Sequence, residues 1–402
     1  MTAGDSAHRI QRLDCYRIAL PLATPLAHSQ VATTVLDELV LVMTLADGTR
    51  GFGEVRGNGA YATGHDAASV QAALAACAYL LVGTAADLAG ATVLHQTGNR
   101  LAAALVELAA LDALSRQATL PMWRYLKEYA EDRSRGTNGF ASEEPGRPSG
   151  TTTIEVMPAS PAAPIPPRLE THASVAFMAP VDAAARAGEA TAAGFRRFKV
   201  RVGSPDPEDD VARVAAIRAV APAASLVIDA NGAWKVDEAI ARVDRLRPLG
   251  IAWVEQPTAP GDDAALRAVR EQSEIAVVAD ESVRAAADVC RLAAAGAVDG
   301  VHLKLEKCGT VAELRAAVRA AREARLLVEI GMMDQGRLGS AGIAAIASTV
   351  VADAYELWGF ERVARDIAHG LEMQEGGIAL SDLPGNGMMV DLPEEARVAT
   401  WP

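Results

Sequence analysis

The sequence predicts an α/β fold: a (β/α) barrel of the TIM type, preceded by an α+β domain. Two observations carry that prediction. Four apolar runs in the second half end in a charged residue: Leu226-Val-Ile-Asp229, Ala252-Trp-Val-Glu255, Ala276-Val-Val-Ala-Asp280 and Val301-His-Leu-Lys304. Their ends lie 26, 25 and 24 residues apart, the length of one buried parallel strand plus a helix and its loops. The same alternation also runs through the whole region after Ala173, with strand ends near Ala176, Lys199, Asp229, Glu255, Asp280, Lys304, Ile330 and Glu356. A doubly wound open sheet is the alternative. The barrel is favoured because charged residues recur at strand end after strand end and not at one switch point.

The elements follow in order. Residues from about Leu13 to Val55 read as β-structure, with Asp47-Gly48 as a turn and Gly51-Phe-Gly-Glu54 after it. From Asp66 to about Tyr129 the pattern is helical, and Leu101–Leu114 is read as a buried helix although it carries Glu107 and Asp112. Residues 132–170 form a Pro-, Gly- and Ser-rich insertion or linker with little to bury. The barrel is expected over 171–370, with helices such as Pro207–Val220, Val236–Leu246 and Thr310–Ala324. The last segment, 371–402, leaves the barrel and packs back on the first domain, 1–131.

Composition narrows the function. The chain of 402 residues has a formal net charge of −13, which argues against nucleic acid or an anionic membrane as partner. Cys15, Cys77, Cys290 and Cys308 are dispersed, so neither a zinc site nor a disulfide framework is indicated. With no apolar signal core at the start and no uncharged stretch of membrane length, a cytoplasmic protein is expected.

The chemistry-bearing residues gather at the expected barrel mouth. Asp229, Glu255 and Asp280 are hard oxygen ligands suited to Mg²⁺, with Mn²⁺ as the alternative. No histidine stands beside them at ligand spacing, which sets zinc aside. Lys304, one strand later, is the expected base, its pKa lowered by a neighbouring dication and by burial. Lys307 competes for that role but lies past Glu306, toward the loop. Lys199 and Arg201 share one face of their strand and suit an anionic ligand. Salt bridges to the acidic loop Asp206–Asp210 are the plainer account of that pair. Asn231, Tyr61 and Asp334 are weaker candidates for substrate contact, and the loops around Thr24–Thr34 and Gly57–Tyr61 are placed to close over the mouth.

These residues resemble the enolase superfamily, in particular its muconate-cycloisomerase-like subgroup (mandelate racemase/muconate lactonizing enzyme). Asp229-Ala-Asn231, Glu255-Gln-Pro257 and Asp280-Glu-Ser282 are similar to its three metal-ligand segments. Lys304 stands where the subgroup places its sixth-strand lysine. Gly53-Glu54 and Leu120-Pro-Met-Trp123 resemble parts of its capping domain, Gly331-Met-Met-Asp334 its seventh-strand segment, and Tyr355-Glu-Leu-Trp-Gly359 its eighth-strand Glu-Leu-Phe-Gly. The resemblance implies a Mg²⁺-dependent enzyme that removes the α-proton of a small carboxylate, and a homo-oligomer.

Two departures bear on the reaction. The second-strand Lys-x-Lys is here Lys199-x-Arg201, and an arginine is a poor base and a good carboxylate clamp. The eighth strand has Glu356-x-Trp358 in place of the Asp-x-Asp of dipeptide epimerases. One competent base favours one-sided chemistry, so a lyase of the dehydratase kind or a cycloisomerase is expected, with Glu356 orienting Lys304 or a substrate hydroxyl. A racemase or epimerase in which Lys199 replaces the missing lysine is the alternative, and a non-catalytic metal-binding scaffold is a third reading.

Overall fold

The computed structural model describes residues 7–28, 31–128 and 168–402. It opens with an antiparallel meander of β1 (Ile10–His28), β2 (Val31–Leu45) and β3 (Arg50–Arg56). Gly48 takes a φ of +86° at the β2–β3 turn, where a Cβ is disfavoured, and Asp47 accepts the Thr49 N–H at 2.9 Å. The stretch around Thr24–Thr34 is not the loop expected of it. In its described part it is the far end of the β1–β2 hairpin, with Leu26 opposite Thr33.

Helices Ala67–Leu81, Ala89–Thr97 and Arg100–Gln117 follow this sheet. The third lies so close to β3 that a Cβ on Gly53 would stand 2.4 Å from the Leu105 carbonyl oxygen. Within that helix the fully buried Asp112 accepts from the N–H groups of Phe52 (2.9 Å) and Asn386 (2.7 Å) and from Arg116 Nε (2.8 Å). A buried carboxylate is tolerated because each oxygen is hydrogen-bonded. Asp112 thereby ties the helix to β3 and to the C-terminal segment. The expected insertion at 132–170 lies outside the described residues except for its end, β4 (Arg168–Glu170).

The second half forms eight parallel strands in chain order: β5 (Ala173–Val175), β6 (Arg197–Arg201), β7 (Ser225–Asp229), β8 (Ile251–Glu255), β9 (Ala276–Ala279), β10 (Gly300–Lys304), β11 (Leu327–Gly331) and β12 (Ala354–Glu356). The two ends of the sheet meet. His172 N donates to Tyr355 O at 3.2 Å, and Leu357 N to Thr171 Oγ1 at 2.7 Å. The ring is therefore closed, which rules out the open doubly wound sheet. Helices Pro207–Val220, Val236–Leu246 and Val311–Glu323 stand where the sequence places them, the first and third started by Asp206 and Thr310 as N-caps.

After β12 a 3₁₀ turn, Gly359–Arg362, takes the place of an eighth helix. The chain continues through β13 (Ala368–His369), β14 (Met373–Gln374), β15 (Gly377–Ala379), β16 (Met389–Val390) and β17 (Arg397–Trp401). β17 adds to β1 antiparallel, with Asp14 opposite Thr400. Cys15, Cys77, Cys290 and Cys308 are all free thiols. Among the described residues no helix is long and apolar enough to cross a membrane.

Candidate active site

In a closed eight-stranded barrel, alternate strands send side chains inward at one level. Here β6, β8, β10 and β12 contribute Lys199, Glu255, His302 and Glu356, and the four form a ring of contacts. Lys199 Nζ donates to Glu255 Oε1 at 2.7 Å and to Glu356 Oε2 at 2.9 Å. His302 Nδ1 lies 3.1 Å from Glu255 Oε1, and its Nε2 lies 3.5 Å from Glu356 Oε2. Such a layer is ordinarily apolar; this one holds only charged or polar groups, nearly all sealed from solvent.

Burial would strip Lys199 of its charge, but Glu255, Glu356 and Asp229 hold its pKa well above the ordinary lysine value. One ammonium cannot satisfy three carboxylates, and burial pushes the Glu255 carboxyl well up in spite of it. Burial also pushes His302 down to about 4, so its ring is neutral at pH 7. The acidic loop does not hold Lys199 and Arg201 as the plainer account had it. Asp210 is engaged instead by Arg213 at 2.8 Å and Arg242 at 3.3 Å.

The strand-end carboxylates lie beside this layer. Asp229 Oδ2 contacts Arg201 Nη1 and, at 3.1 Å, Lys199 Nζ, while Oδ1 accepts the Asn231 N–H at 2.8 Å. Asn231 also accepts from Arg201 Nη1 at 2.8 Å. Asn231 and Gln256 carry positive φ values of 46° and 37°, backbone conformations that the surrounding hydrogen bonds must hold in place. Gln256 Oε1 accepts from the N–H groups of Asp280 (3.1 Å) and Ser282 (3.2 Å), which fixes the end of β8 against that of β9.

Asp280 receives two ammonium groups, Lys304 at 2.9 Å and Lys307 at 2.5 Å. Burial opposes its charge, yet Lys304 and Lys307 keep its carboxyl well below the usual range. Lys307 is fully buried, not out toward the loop, and also donates to His302 O at 2.8 Å. Lys304 departs from the lowered pKa expected of a base. Burial pulls it down, but Asp280 carries it above the ordinary lysine value. The expected lowering requires a cation to draw on the Asp280 charge.

Above the layer is a cavity lined by Tyr61, Arg201, Lys304, Asp334, Glu356 and Trp358, with Met332, Met333 and Gly359 completing its wall. Arg201 reaches it from the second strand of the ring and Lys304 from the sixth, so they face each other across it. Tyr61 enters from the first domain, with the Arg56 guanidinium over its ring at 5.9 Å. Asp334 Oδ1 stands 3.7 Å from Arg362 Nε, whose guanidinium lies over the Trp358 ring at 4.9 Å. Two expectations are corrected here. Lys199 does not line the cavity, because the buried carboxylates hold it beneath. Of the two roles expected for Glu356, the one toward Lys304 is not seen: it hydrogen-bonds Lys199, because ring closure brings β12 within two strands of β6, while its place in the cavity wall is compatible with the other, a substrate hydroxyl.

The donor set fits a divalent cation. Glu255 Oε2 is buried without a hydrogen-bond partner among the described residues, and one ligand atom each from Glu255, Asp280 and His302 lie within 4.8 Å of one another. The expectation that no histidine stands near the carboxylates is therefore wrong: His302 is next to Glu255. Reasoning from the sequence missed it, along with Trp358 and Met332 as cavity residues.

The enolase C-terminal domain-like family matches residues 182–395, more than half of the chain. The chain belongs to the enolase superfamily, in its mandelate racemase/muconate lactonizing enzyme subgroup. An aromatic dipeptide epimerase from Herpetosiphon aurantiacus is 31% identical over 347 residues, covering 84% of this chain and 86% of the relative. The L-Ala-D/L-Glu epimerase of Bacillus subtilis is 26% identical over 85% of each. Its substrate-liganded structure superposes with a TM-score of 0.80 at 25% identity, over 96% of this chain and 100% of that one. A mandelate racemase/muconate lactonizing protein from Herpetosiphon aurantiacus gives 0.78 at 27% identity, over 96% and 99%. Both of these sequence relatives are named as epimerases.

Proposed function

We propose that this protein is a divalent-cation-dependent epimerase or racemase that removes the α-proton of a small amino-acid-derived carboxylate on one face and delivers a proton to the opposite face of the same carbon. The observation that carries this reading is the placement of Lys304 and Arg201, a cationic N–H group on each side of one cavity. The epimerase relatives support it, and the expected lyase or cycloisomerase gives way to it.

Held by the carboxylates Asp229, Glu255 and Asp280, Mg²⁺ (or Mn²⁺) would supply a Lewis acid toward the substrate carboxylate. Lys304, once freed from Asp280 and relieved of one proton to solvent, takes the α-proton on its own face as a neutral amine. Arg201 presents its N–H to the opposite face. A guanidinium gives up its proton reluctantly, so transfer on that side is the slow step of inversion. Lys199 works from below, holding Glu255 and Glu356 in place. Tyr61, Trp358 and Asp334 line the space left for the rest of the substrate.

Arg201 favours a second reading, in which chemistry stays on the Lys304 face and ends in elimination. Incubation of the protein in D₂O with Mg²⁺ and a set of dipeptides and N-acyl amino acids separates the two. Loss of the α-proton signal with inversion supports the epimerase. A product with a new carbon–carbon double bond supports the second reading. No exchange with any substrate would sink both and leave the metal-binding scaffold.

A further inference from the structure

We propose that Arg284, a residue of the barrel, is a positioning residue for the substrate cavity: it fixes the first-domain segment 57–64 and thereby sets how far Tyr61 reaches into the cavity. The inference rests on the functional reading above for what the cavity binds, and concerns how its first-domain wall is held.

Tyr61 stands in the short helix Ala60–Thr63, a single turn. Four residues do not hold a helix by themselves, so the turn keeps its place through contacts at its two ends. Gly64 N donates to Ala60 O at 2.9 Å and Thr63 Oγ1 to Gly59 O at 3.2 Å, which makes the segment one unit. A shift at either end therefore carries Tyr61 with it.

The leading end is held from the first domain. The fully buried Arg56 donates from Nε to Asn58 Oδ1 at 2.7 Å, and Asn58 Nδ2 donates to Val35 O at 2.9 Å. Gly59 then rests on the cavity wall, where a Cβ would stand 2.8 Å from Met333 Cε.

The trailing end is held from the barrel. Arg284 follows β9, and its side chain crosses to the first domain, where Nε donates to the carbonyl of the buried Ala62 at 3.2 Å. Its guanidinium also lies along Gly64: a Cβ there would stand 3.3 Å from Arg284 Nη1, and Gly64 takes a φ of +81°. Glycine at 64 thus serves the end of the turn and admits the guanidinium. The root of Arg284 is fixed, because Asp288 Oδ2 accepts the N–H groups of Arg284 (2.9 Å) and Ala285 (3.1 Å). Tyr61 is therefore clamped between Met333 and Arg284, both on loops that follow barrel strands. A charge-assisted bond of this kind shifts a local equilibrium by about 10-fold or more.

The test uses the full chain. Hydrogen exchange at the amides of Ala62, Thr63 and Gly64 should quicken by about 10-fold in Arg284→Ala, while the amides of β1–β3 keep their rates. Tyr61 itself is read by NMR of ring-labelled tyrosine, its signal being the one missing from Tyr61→Phe. That signal should move in Arg284→Ala. Unchanged exchange together with an unmoved Tyr61 signal would overturn the proposal. Arg284→Gln, which keeps a neutral N–H donor, is a second variant with the same two readouts and a smaller expected change, and it serves if the alanine variant does not fold. With a substrate in hand, Arg284→Ala should raise KM by about 10-fold with kcat changed less, and add little in a Tyr61→Ala background. A fully additive effect there would overturn the proposal, since Arg284 would not act through Tyr61. The exchange and NMR readouts need no turnover. A variant that loses protection, in a protein that exchanges no α-proton, refutes the epimerase reading alone. Turnover with unchanged protection and an unmoved Tyr61 refutes this inference alone.

Discussion

Arg201→Lys is the change that bears most directly on the proposed reaction. Arg201 and Lys304 face each other across the cavity, so one group addresses each face of a bound α-carbon. Ordinary pKa values are about 10.4 for lysine and about 12.5 or more for arginine, a gap of at least about 2 units. At a fixed pH below both values, the neutral fraction able to accept a proton rises by about 100-fold on substitution, or about 3 kcal/mol. Against this, the variant loses the hydrogen bond from Arg201 Nη1 to Asn231, 2.8 Å in the wild type, at a stability cost of about 1 kcal/mol. The assay follows both epimers of one substrate in D₂O by proton NMR, with chiral chromatography in parallel. In the wild type, exchange of the epimer that presents its α-proton to Lys304 should outrun inversion. In the variant the ratio of inversion to exchange should rise by up to about 100-fold, with exchange at the Lys304 face little changed. If the wild type inverts as fast as it exchanges, and the variant loses inversion, Arg201 carries the proton itself and the reasoning from guanidinium basicity is refuted.

Other expectations follow from the same geometry. Lys304→Ala should lower α-proton exchange by about 10²- to 10⁴-fold, with an unchanged circular dichroism spectrum, because Asp280 keeps Lys307 as a partner. Retained exchange would remove Lys304 from the mechanism. Glu54, fully buried beneath the barrel helix Arg337–Ala347 and accepting the Gly339 N–H at 2.7 Å, has its carboxyl pushed up to about 8 by burial and by Asp366. Between its unfolded value near 4.5 and about 8 the folded state holds the extra proton, so stability should fall as pH rises through that window. Glu54→Gln should flatten the decline in melting temperature and be the more stable form at pH 8; an unchanged slope would count against this account. Gly53→Ala drives a Cβ to 2.4 Å from the Leu105 carbonyl oxygen and should cost about 3 kcal/mol in urea unfolding. A near-neutral result would mean that helix Arg100–Gln117 can shift away from β3.

Much of the architecture was legible because parallel strands buried on both faces leave uninterrupted apolar runs. Leu226-Val-Ile-Asp229 is one, and Asp229 ends its strand as read. The capped helices were legible for a local reason too, since Asp206-Pro207 and Thr310 announce their starts. The hairpin end near Thr24–Thr34 was not. Its strands carry no apolar alternation there, and the pairings of Leu26 with Thr33, Ala27 with Ala32 and His28 with Val31 define them. The epimerase reading proposed above was obscured by one substitution: Arg201 argues for one-sided chemistry as long as the chain is read alone, and the relatives shift the balance.

The errors at the site share one cause, the closure of the ring. Strand by strand, Lys199 reads as a substrate-facing amine, Glu356 as a partner for Lys304, and His302 as one position inside a buried run. Once β5 meets β12, alternate strands share a level, and Lys199, Glu255, His302 and Glu356 become neighbours although 157 residues separate Lys199 from Glu356. The signal was available in principle. His302 precedes Lys304 by two, so both point inward from β10, with His302 one step deeper. Lys199 precedes Arg201 by two on β6 in the same way, which puts Lys199 at the deeper level and leaves Arg201 at the cavity. Period-two spacing combined with the alternation of strands thus assigns each inward residue a depth as well as a direction. Depth separates the groups that can reach an α-carbon, Arg201 and Lys304, from those that hold the charge beneath it.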